Sequence, residues 1–218
     1  KETGIQVNVV AVGTGQALRN AENCEGDLLI VHSKESEEKF VKDGFGLIRF
    51  DLMYNDYIII GPEKDPANIR GSKSFKQALL RIFIGQHKFI SRGDDSGTHK
   101  REMKLWSSSS IDPEPFSGVW YLEVGAGMGN ALNIAAELNG YILSDRATWI
   151  SFKNKRALNV LYENDDSLFN QYGVVLINPK KCPNTNHKDA KIFFDWLISP
   201  QGQKEIANYK FLGIQLFY

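Results

Sequence analysis

Phe89–Glu102, with the sequence FISRGDDSGTHKRE, carries a short strand that runs into a polar turn and then into a helix from about Thr98. The first N–H groups of a helix have no acceptor within the helix, and the helix dipole places partial positive charge there. Hydroxyl groups add donors at this point, and Arg92 adds a fixed charge. The pattern therefore predicts a binding site for a small anion. Its predicted donors are Ser91, Arg92, Ser96, Gly97 and Thr98.

Length and charge narrow the classes of partner. A chain of 218 residues is long enough for one large domain or for two lobes of about 100 residues each. Its 26 Lys and Arg residues balance 26 Asp and Glu residues, so it lacks the basic field that binds nucleic acid, and no nucleic-acid partner is expected. No apolar run approaches the length of about 18 residues that a membrane span needs.

Strand signals and helix signals alternate along the chain, which predicts an α/β fold with mostly parallel sheets. Val7–Val12 is expected to form a strand, and Asp27–Val31 a parallel strand that is covered on both faces. Two apolar strands that end in proline, Tyr54–Pro62 and Tyr172–Pro179, are expected to join two lobes. The predicted lobes are residues 1–59 plus 174–218 and residues 60–173.

Two glycine turns lie, like the polar turn of Phe89–Glu102, between a predicted strand and a predicted helix. They are Gly13–Gly15 and Gly125–Gly129. Neither completes the dinucleotide fingerprint G-x-G-x-x-G, and each by itself is typical of a plain helix start. Ligands of open α/β sheets bind at the carboxyl ends of strands, so three such turns predict a cage of donors around one cleft. The turns add Thr14, Gly15, Gly127 and Met128 to the candidate anion-binding residues.

Motifs for catalysis or metal binding are missing from the sequence. The four histidines are scattered, and no G-x-S-x-G or H-E-x-x-H pattern occurs, so no catalytic residue, metal or cofactor is predicted. Asp94 and Asp95 suit a helix cap or a brace for Arg92, although either would also accept the proton of a hydrogen phosphate. Cys24 and Cys182 lie far apart in the sequence and are expected to be two free buried thiols, with one disulfide between them as the alternative.

The anion motif resembles the signature of the tungstate-binding proteins of bacterial ABC importers (TupA type). The similarity extends in order to Val12–Leu18, Met53–Tyr57, Gly125–Gly129 and Leu143–Thr148, and so covers nearly the whole chain. It implies a two-lobed, periplasmic-binding-protein-like fold of type II, with two mixed, mostly parallel sheets joined by two crossover strands. It also implies a periplasmic or membrane-tethered extracytoplasmic monomer that captures tungstate or molybdate in the interlobe cleft and delivers it to the membrane subunits of an ABC permease.

The sequence departs from that family at one point, and two alternative functions stay open. The family begins with a strand, a Thr-Thr-Thr-Ser turn and a helix, whereas this chain starts at the Lys1–Ile5 segment that follows them. The resemblance therefore implies that part of the site lies outside this chain and that the chain by itself binds the anion weakly. The alternatives are a phosphate- or sulfate-binding protein and the effector domain of a LysR-type regulator, which shares the two-lobed fold.

Overall fold

The computed structural model describes residues 3–218, so Lys1 and Glu2, at the start of the family resemblance, lie outside the described part. Strands and helices alternate, which confirms the α/β class. The helices are α1 (Thr14–Glu22), α2 (Lys34–Lys42), α3 (Phe75–Ile84), α4 (Gly97–Ser108), α5 (Met128–Leu138), α6 (Arg146–Ser151), α7 (His187–Ile198) and α8 (Pro200–Asn208). The strands are β1 (Leu28–Val31), β2 (Gly46–Pro62), β3 (Phe89–Ser91), β4 (Tyr121–Glu123), β5 (Tyr141–Asp145), β6 (Leu158–Tyr162), β7 (Phe169–Ile177), β8 (Lys210–Phe211) and β9 (Ile214–Gln215).

The chain separates into two compact units. Unit 1 consists of residues 3–54 together with Gln171–Tyr218, and unit 2 is Asn55–Asn170. The chain passes from unit 1 to unit 2 within β2 and returns within β7, so two strands carry the covalent connections. These are the strands in which the predicted lobe boundaries, at residues 59–60 and 173–174, also fall.

Unit 1 packs helices against both faces of β7. Val175 and Ile177 contribute to one core cluster with residues of α1, α2 and β1, while Val174 and Leu176 contribute to another with residues of α7. Side chains of a strand alternate between the two faces of a sheet, so one apolar run supplies both cores. The arrangement explains why this stretch of β7 is continuously apolar.

A disulfide between Cys24 and Cys182 links the segment after α1 to the segment after β7 in unit 1. The expectation of two free thiols was therefore wrong. The two residues are 158 positions apart in the chain, and their Cα atoms lie 5.2 Å apart in the fold. Spacing in the sequence gave no signal for this pairing, because it arises from the packing of α1 beside the end of β7.

Unit 2 contains a mixed sheet that holds the candidate site. Strand β3 pairs in parallel with β4 and with β5, whereas β2 pairs antiparallel with β5 and with β6. Residues of α3 and α4 share a core cluster with one face of the sheet, and residues of α5 and α6 share a core cluster with the other. Helices on both faces are the layered arrangement expected of an α/β fold.

Two predictions about strands fail. Val7–Val12 forms no strand, and its side chains are exposed, with Val9 at 81%. An alternating apolar pattern makes a strand only where a neighbouring strand accepts its backbone hydrogen bonds, and within residues 3–218 no strand pairs with this segment. The second failed prediction is the parallel, fully covered strand at Asp27–Val31. Strand β1 is antiparallel to β7, because β7 returns from unit 2 in the opposite direction, and Ile30 of β1 is 40% exposed.

The sequence patterns did not predict the first half of β2, strand β6 or the short antiparallel pair of β8 and β9. The first half of β2 contains Arg49 and Asp51, whose charges interrupt the apolar run; Arg49 Nε donates to Glu37 Oε2 at 2.7 Å. Strand β6 is short, and only two of its five residues are buried. In the part of the chain that the structure describes, no helix has the length and apolar character needed to cross a bilayer.

Candidate anion-binding site

The candidate site of unit 2 lies at the carboxyl ends of parallel strands. Strands β3 and β4 are parallel neighbours, so the turns that follow them meet at the same edge of the sheet. Val124 N–H donates to the carbonyl oxygen of Ser91 at 3.0 Å, and Ala126 N–H donates to that of Arg92 at 3.3 Å. These bonds fix the turn before α5 beside the turn before α4. Two of the three glycine- and serine-rich turns predicted from the sequence are thereby brought together.

Ser91 and Arg92 contribute buried donors at this edge. Ser91 is the last residue of β3 and is 0% exposed, and its Oγ makes no hydrogen bond of standard geometry with any described residue. Arg92 Nε is likewise buried and makes no hydrogen bond to the described part of the chain. Buried polar atoms without a partner are rare in proteins, and each calls for an explanation.

Asp94 braces the guanidinium group of Arg92. Its Oδ2 accepts from Arg92 Nη2 at 2.5 Å, and its Oδ1 accepts from Ser96 N–H at 3.2 Å. Although burial raises the pKa of Asp94, the hydrogen bonds from Ser96 and the charge of Arg92 outweigh it and lower the pKa below its ordinary value. Asp94 is therefore ionised at neutral pH and fixes one side of Arg92.

Gly93 allows the turn to form. Its φ of +57° lies in the left-handed region, and a Cβ atom at this position would lie 2.9 Å from Glu123 Cβ. Both observations exclude a larger side chain. The turn therefore lies close against β4, which keeps Arg92 beside the sheet edge.

Helix α4 presents its first backbone donors at the same place. Ser96 is its N-cap, and the Ser96 Oγ accepts from His99 N–H at 3.2 Å. The cap satisfies the N–H group of His99, so the N–H groups of Gly97 and Thr98 remain without an acceptor within the helix. Both residues are buried, and the partial positive charge of the helix dipole lies at this end. Ser96 thus serves the helix, while Gly97 and Thr98 offer donors to a ligand.

Helix α5 begins at Met128 after the N-cap Gly127, which has no side chain to cap the helix. A Cβ atom added at Gly127 or at Gly129 would meet no atom within 4 Å, so packing does not require glycine there. Glycine instead leaves the helix start open to close approach by another molecule. The predicted residues Gly127 and Met128 therefore lie at an accessible helix N-terminus of unit 2.

Unit 1 contains the remaining predicted residues, Thr14 and Gly15, in the first turn of α1. The N-cap Gly13 contributes no side chain, and both residues are buried. Thr14 is 2% exposed, and its Oγ1 has no hydrogen-bond partner in residues 3–218. The start of α1 therefore combines a buried hydroxyl group, like that of Ser91, with first N–H groups that have no acceptor within the helix.

A buried polar network behind Ser91 was missed by the sequence analysis. Glu102 on α4 is 3% exposed, and its Oε1 accepts from the Tyr121 hydroxyl at 2.7 Å and from Trp106 Nε1 at 3.3 Å. Burial raises the pKa of Glu102 to about 8, against the lowering effect of these bonds and of nearby Ser91. Glu102 comes at the end of the opening motif, where a charged residue of a helix is usually solvated. Only the spacing of four residues from Trp106 places both side chains on one helix face.

Metal ligands do not accompany these donors. In residues 3–218, no group of three or more His, Cys, Asp or Glu side chains is arranged to hold a metal ion. Ser91, Arg92 and the first N–H groups of α4 supply donors at the sheet edge, and the carboxylate of Asp94 beside them is already engaged. Donors and positive charge suit an anion.

The fold and site define the class of protein. A family described as "PBP superfamily domain" matches residues 1–201. A tungstate-binding protein TupA from Peptoclostridium acidaminophilum is 47% identical over 211 residues, which cover 96% of this chain and 73% of the relative. A second protein of that name, from Campylobacter jejuni, is 42% identical over 221 residues, which cover 100% of this chain and 81% of the relative.

A solved structure agrees with these relatives. The crystal structure of the tungstate ABC transporter from Geobacter sulfurreducens is 44% identical and has a TM-score of 0.86, with coverage of 95% of this chain and 88% of that one. The chain therefore belongs to the PBP superfamily and, within it, to the TupA family of tungstate-binding proteins. The resemblance inferred from the sequence is confirmed, as is the expectation of a binding protein rather than an enzyme.

Proposed function

We propose that this chain is the extracytoplasmic solute-binding component of an ABC importer and that its ligand is tungstate or the closely related molybdate. The observation that carries the proposal is the set of buried donors without protein acceptors at the carboxyl edge of the unit 2 sheet. Ser91 Oγ and Arg92 Nε are such donors within the described residues, beside the first N–H groups of α4. An unpaired buried polar group costs about 1–3 kcal/mol, so it is best explained by a ligand that supplies the acceptor.

The state of Asp94 supports an anion without a proton. Hydrogen phosphate carries an O–H group that needs an acceptor, whereas tungstate, molybdate and sulfate are fully deprotonated near neutral pH and need donors only. Both carboxylate oxygens of Asp94 are already engaged, by Arg92 and by the N–H of Ser96. The role of Asp94 as a brace therefore weakens the phosphate alternative that the sequence left open.

The further donors follow from the same reasoning. We propose that Thr14 and Gly15 donate to the anion from the start of α1, and Gly127 and Met128 from the start of α5. The supporting observations are the unpartnered, buried Oγ1 of Thr14 in the described chain and the open space at Gly127. The choice of tungstate among the dianions rests on the relatives, whose names specify it.

The location and the partner are part of the proposal. The Cys24–Cys182 disulfide suits an oxidising compartment, such as the periplasm or the cell exterior, because cytosolic thiols are kept reduced. We propose that the chain acts as a monomer, is periplasmic or tethered to the outside of a membrane, and passes the anion to the membrane subunits of an ABC permease. Its ligand is cargo, and no cofactor is involved.

Calorimetric titration of the chain with tungstate, sulfate and phosphate tests the proposal. Tungstate is expected to bind more tightly than phosphate, and Arg92→Ala is expected to raise the Kd for tungstate by about 10- to 150-fold, the loss of one charge-assisted hydrogen bond. Arg156→Ala is the matched control, because Arg156 pairs with Glu137 and is half-exposed. Equal binding of phosphate and tungstate, or equal Kd values for Arg92→Ala and the unchanged chain, would contradict the proposal.

A further inference from the structure

The carboxyl group of Glu102 lies behind the hydrogen-bond donors of the proposed anion site. A carboxyl group is an unexpected neighbour for an anion. Glu102 lies within unit 2 on the buried face of α4, in contact with Tyr121 and Trp106. Tyr121 is 0% exposed and Trp106 is 1% exposed, so water does not reach this group freely. An ionised carboxylate here would repel a dianion at the carboxyl end of β3 through a medium of low dielectric constant.

The hydrogen-bond pattern assigns different roles to the two oxygens of Glu102. Oε1 accepts two hydrogen bonds, one from the Tyr121 hydroxyl and one from the Trp106 indole N–H. A proton on the carboxyl group therefore belongs on Oε2, which accepts a hydrogen bond from neither of these two groups. Ser91 lies close enough to affect the pKa of both Glu102 and Tyr121, although its Oγ makes no hydrogen bond of standard geometry within the described residues.

We propose, on the basis of the proposed oxyanion function, that Glu102 is a positioning residue whose protonated carboxyl group donates to Ser91 Oγ and thereby directs the Ser91 hydroxyl hydrogen toward the bound anion. A hydroxyl group has one hydrogen and accepts through its lone pairs. With Glu102 protonated, Ser91 accepts from Oε2–H and its own hydrogen is available to the ligand. With Glu102 ionised, the carboxylate takes the Ser91 hydrogen instead, and the anion faces a lone pair and a negative charge.

The surroundings of Glu102 favour the protonated form. Burial raises its pKa to about 8, the charge of Glu123 on β4 adds to that effect, and the hydrogen bonds from Tyr121 and Trp106 and the nearby hydroxyl group of Ser91 oppose it. Helix α3 and strand β5 also pack against α4, and the side chains that they share with it in the core are apolar except for Tyr141. Strand β3 contributes Phe89, whose ring packs against Trp106. The Tyr141 hydroxyl is bonded to Asp65 Oδ1 at 3.0 Å.

The pH dependence of tungstate binding tests the inference. If only the protonated form binds, a pKa of about 8 makes the Kd about tenfold larger at about pH 9 than at about pH 7, where tungstate is a dianion throughout. Glu102→Gln is neutral at both pH values. Its carbonyl oxygen replaces Oε1 and its amide N–H donates to Ser91, so its Kd is expected to change by less than about twofold.

Two further variants make the test specific. Glu123→Gln removes the exposed carboxylate whose charge adds to the raised pKa of Glu102, so the loss of binding is expected to shift slightly to lower pH. Tyr121→Phe removes a bond that lowers the pKa of Glu102, so the loss of binding is expected to shift to higher pH. This direction tests the inference independently of whether Glu102→Gln folds, and a shift to lower pH would overturn it.

The outcomes separate this inference from the proposed function. Tight tungstate binding at about pH 7 with no loss at about pH 9 overturns the role of Glu102 and leaves the proposed function intact. The same holds if Glu102→Gln loses binding with pH as the unchanged chain does. Absence of tungstate binding at both pH values in every variant overturns the proposed function and the inference together.

Discussion

Replacement of Thr14 by Val is expected to stabilise the ligand-free protein and to weaken tungstate binding. Thr14 is 2% exposed in the first turn of α1, and its Oγ1 has no hydrogen-bond partner in the described chain. Val matches the shape of Thr without the hydroxyl group. The substitution therefore removes an unpaired buried polar atom and leaves no large cavity.

The expected magnitudes follow from the state of that hydroxyl group. An unpaired buried polar group costs about 1–3 kcal/mol, so the free energy of unfolding is expected to rise by about 1 kcal/mol in Thr14→Val. A hydrogen bond to a charged ligand contributes about 1.5–3 kcal/mol, and its loss raises the Kd for tungstate by about 10- to 150-fold. Stability and affinity are thus expected to change in opposite directions, as they often do at functional sites.

Urea-induced unfolding without oxyanion measures the stability, and calorimetric titration measures the Kd for tungstate. Thr185→Val is a matched control in the same unit, because the Thr185 Oγ1 donates to the carbonyl oxygen of Cys182 at 2.8 Å. Loss of this satisfied bond is expected to lower the free energy of unfolding by about 1 kcal/mol and to leave the Kd unchanged. A Thr14→Val protein that binds tungstate as tightly as the unchanged chain would refute the assignment of Thr14 as a ligand donor.

Three other perturbations have defined outcomes. Arg92→Lys keeps the charge but loses the planar fork that Asp94 braces, so calorimetry is expected to give a Kd for tungstate between those of the unchanged chain and Arg92→Ala; a Kd equal to either one contradicts this. The folded-state pKa of Glu102 is raised to about 8 from 4.5, so the stability that its proton confers is complete below pH 4.5 and is lost between pH 4.5 and 8, by at most about 1.4 kcal/mol per pH unit. Urea unfolding across this range should show the loss in the unchanged chain and a smaller slope in Glu102→Gln, and parallel curves would contradict it. Replacement of Cys24 and Cys182 by Ser is expected to lower the free energy of unfolding by about 2–4 kcal/mol, and an unchanged urea midpoint would show that the disulfide does not stabilise unit 1.

Local sequence patterns were sufficient for the elements that position the anion donors. The strand at Phe89–Ser91, the helix from Gly97 and the helix from Met128 lie within two residues of their predicted positions, because each start combines an apolar strand with a glycine or serine turn. The parallel pairing of β3 and β4 follows from their helical connection. Proximity of the two helix starts is then a consequence of topology.

Features that depend on tertiary packing were not predictable in this way. The exposed Val9 has the β-branched side chain of a strand residue, but a strand needs a neighbour, and sequence does not supply one. The Cys24–Cys182 bond depends on how α1 packs against the end of β7. The burial of Glu102 on α4 depends on Tyr121, a residue of strand β4 that is distant in the sequence.

The position of bound tungsten in a crystal shows whether the anion lies at the carboxyl end of β3. Crystals grown with tungstate, with data collected at the tungsten absorption edge, would locate the metal atom of the anion by its anomalous scattering. A peak is expected about 4 Å from Ser91 Oγ, from a guanidinium nitrogen of Arg92 and from the backbone nitrogen of Thr98, the distance at which an oxygen of the anion accepts from each donor. A single strong peak away from the carboxyl end of β3, with no density beside Ser91, would contradict it.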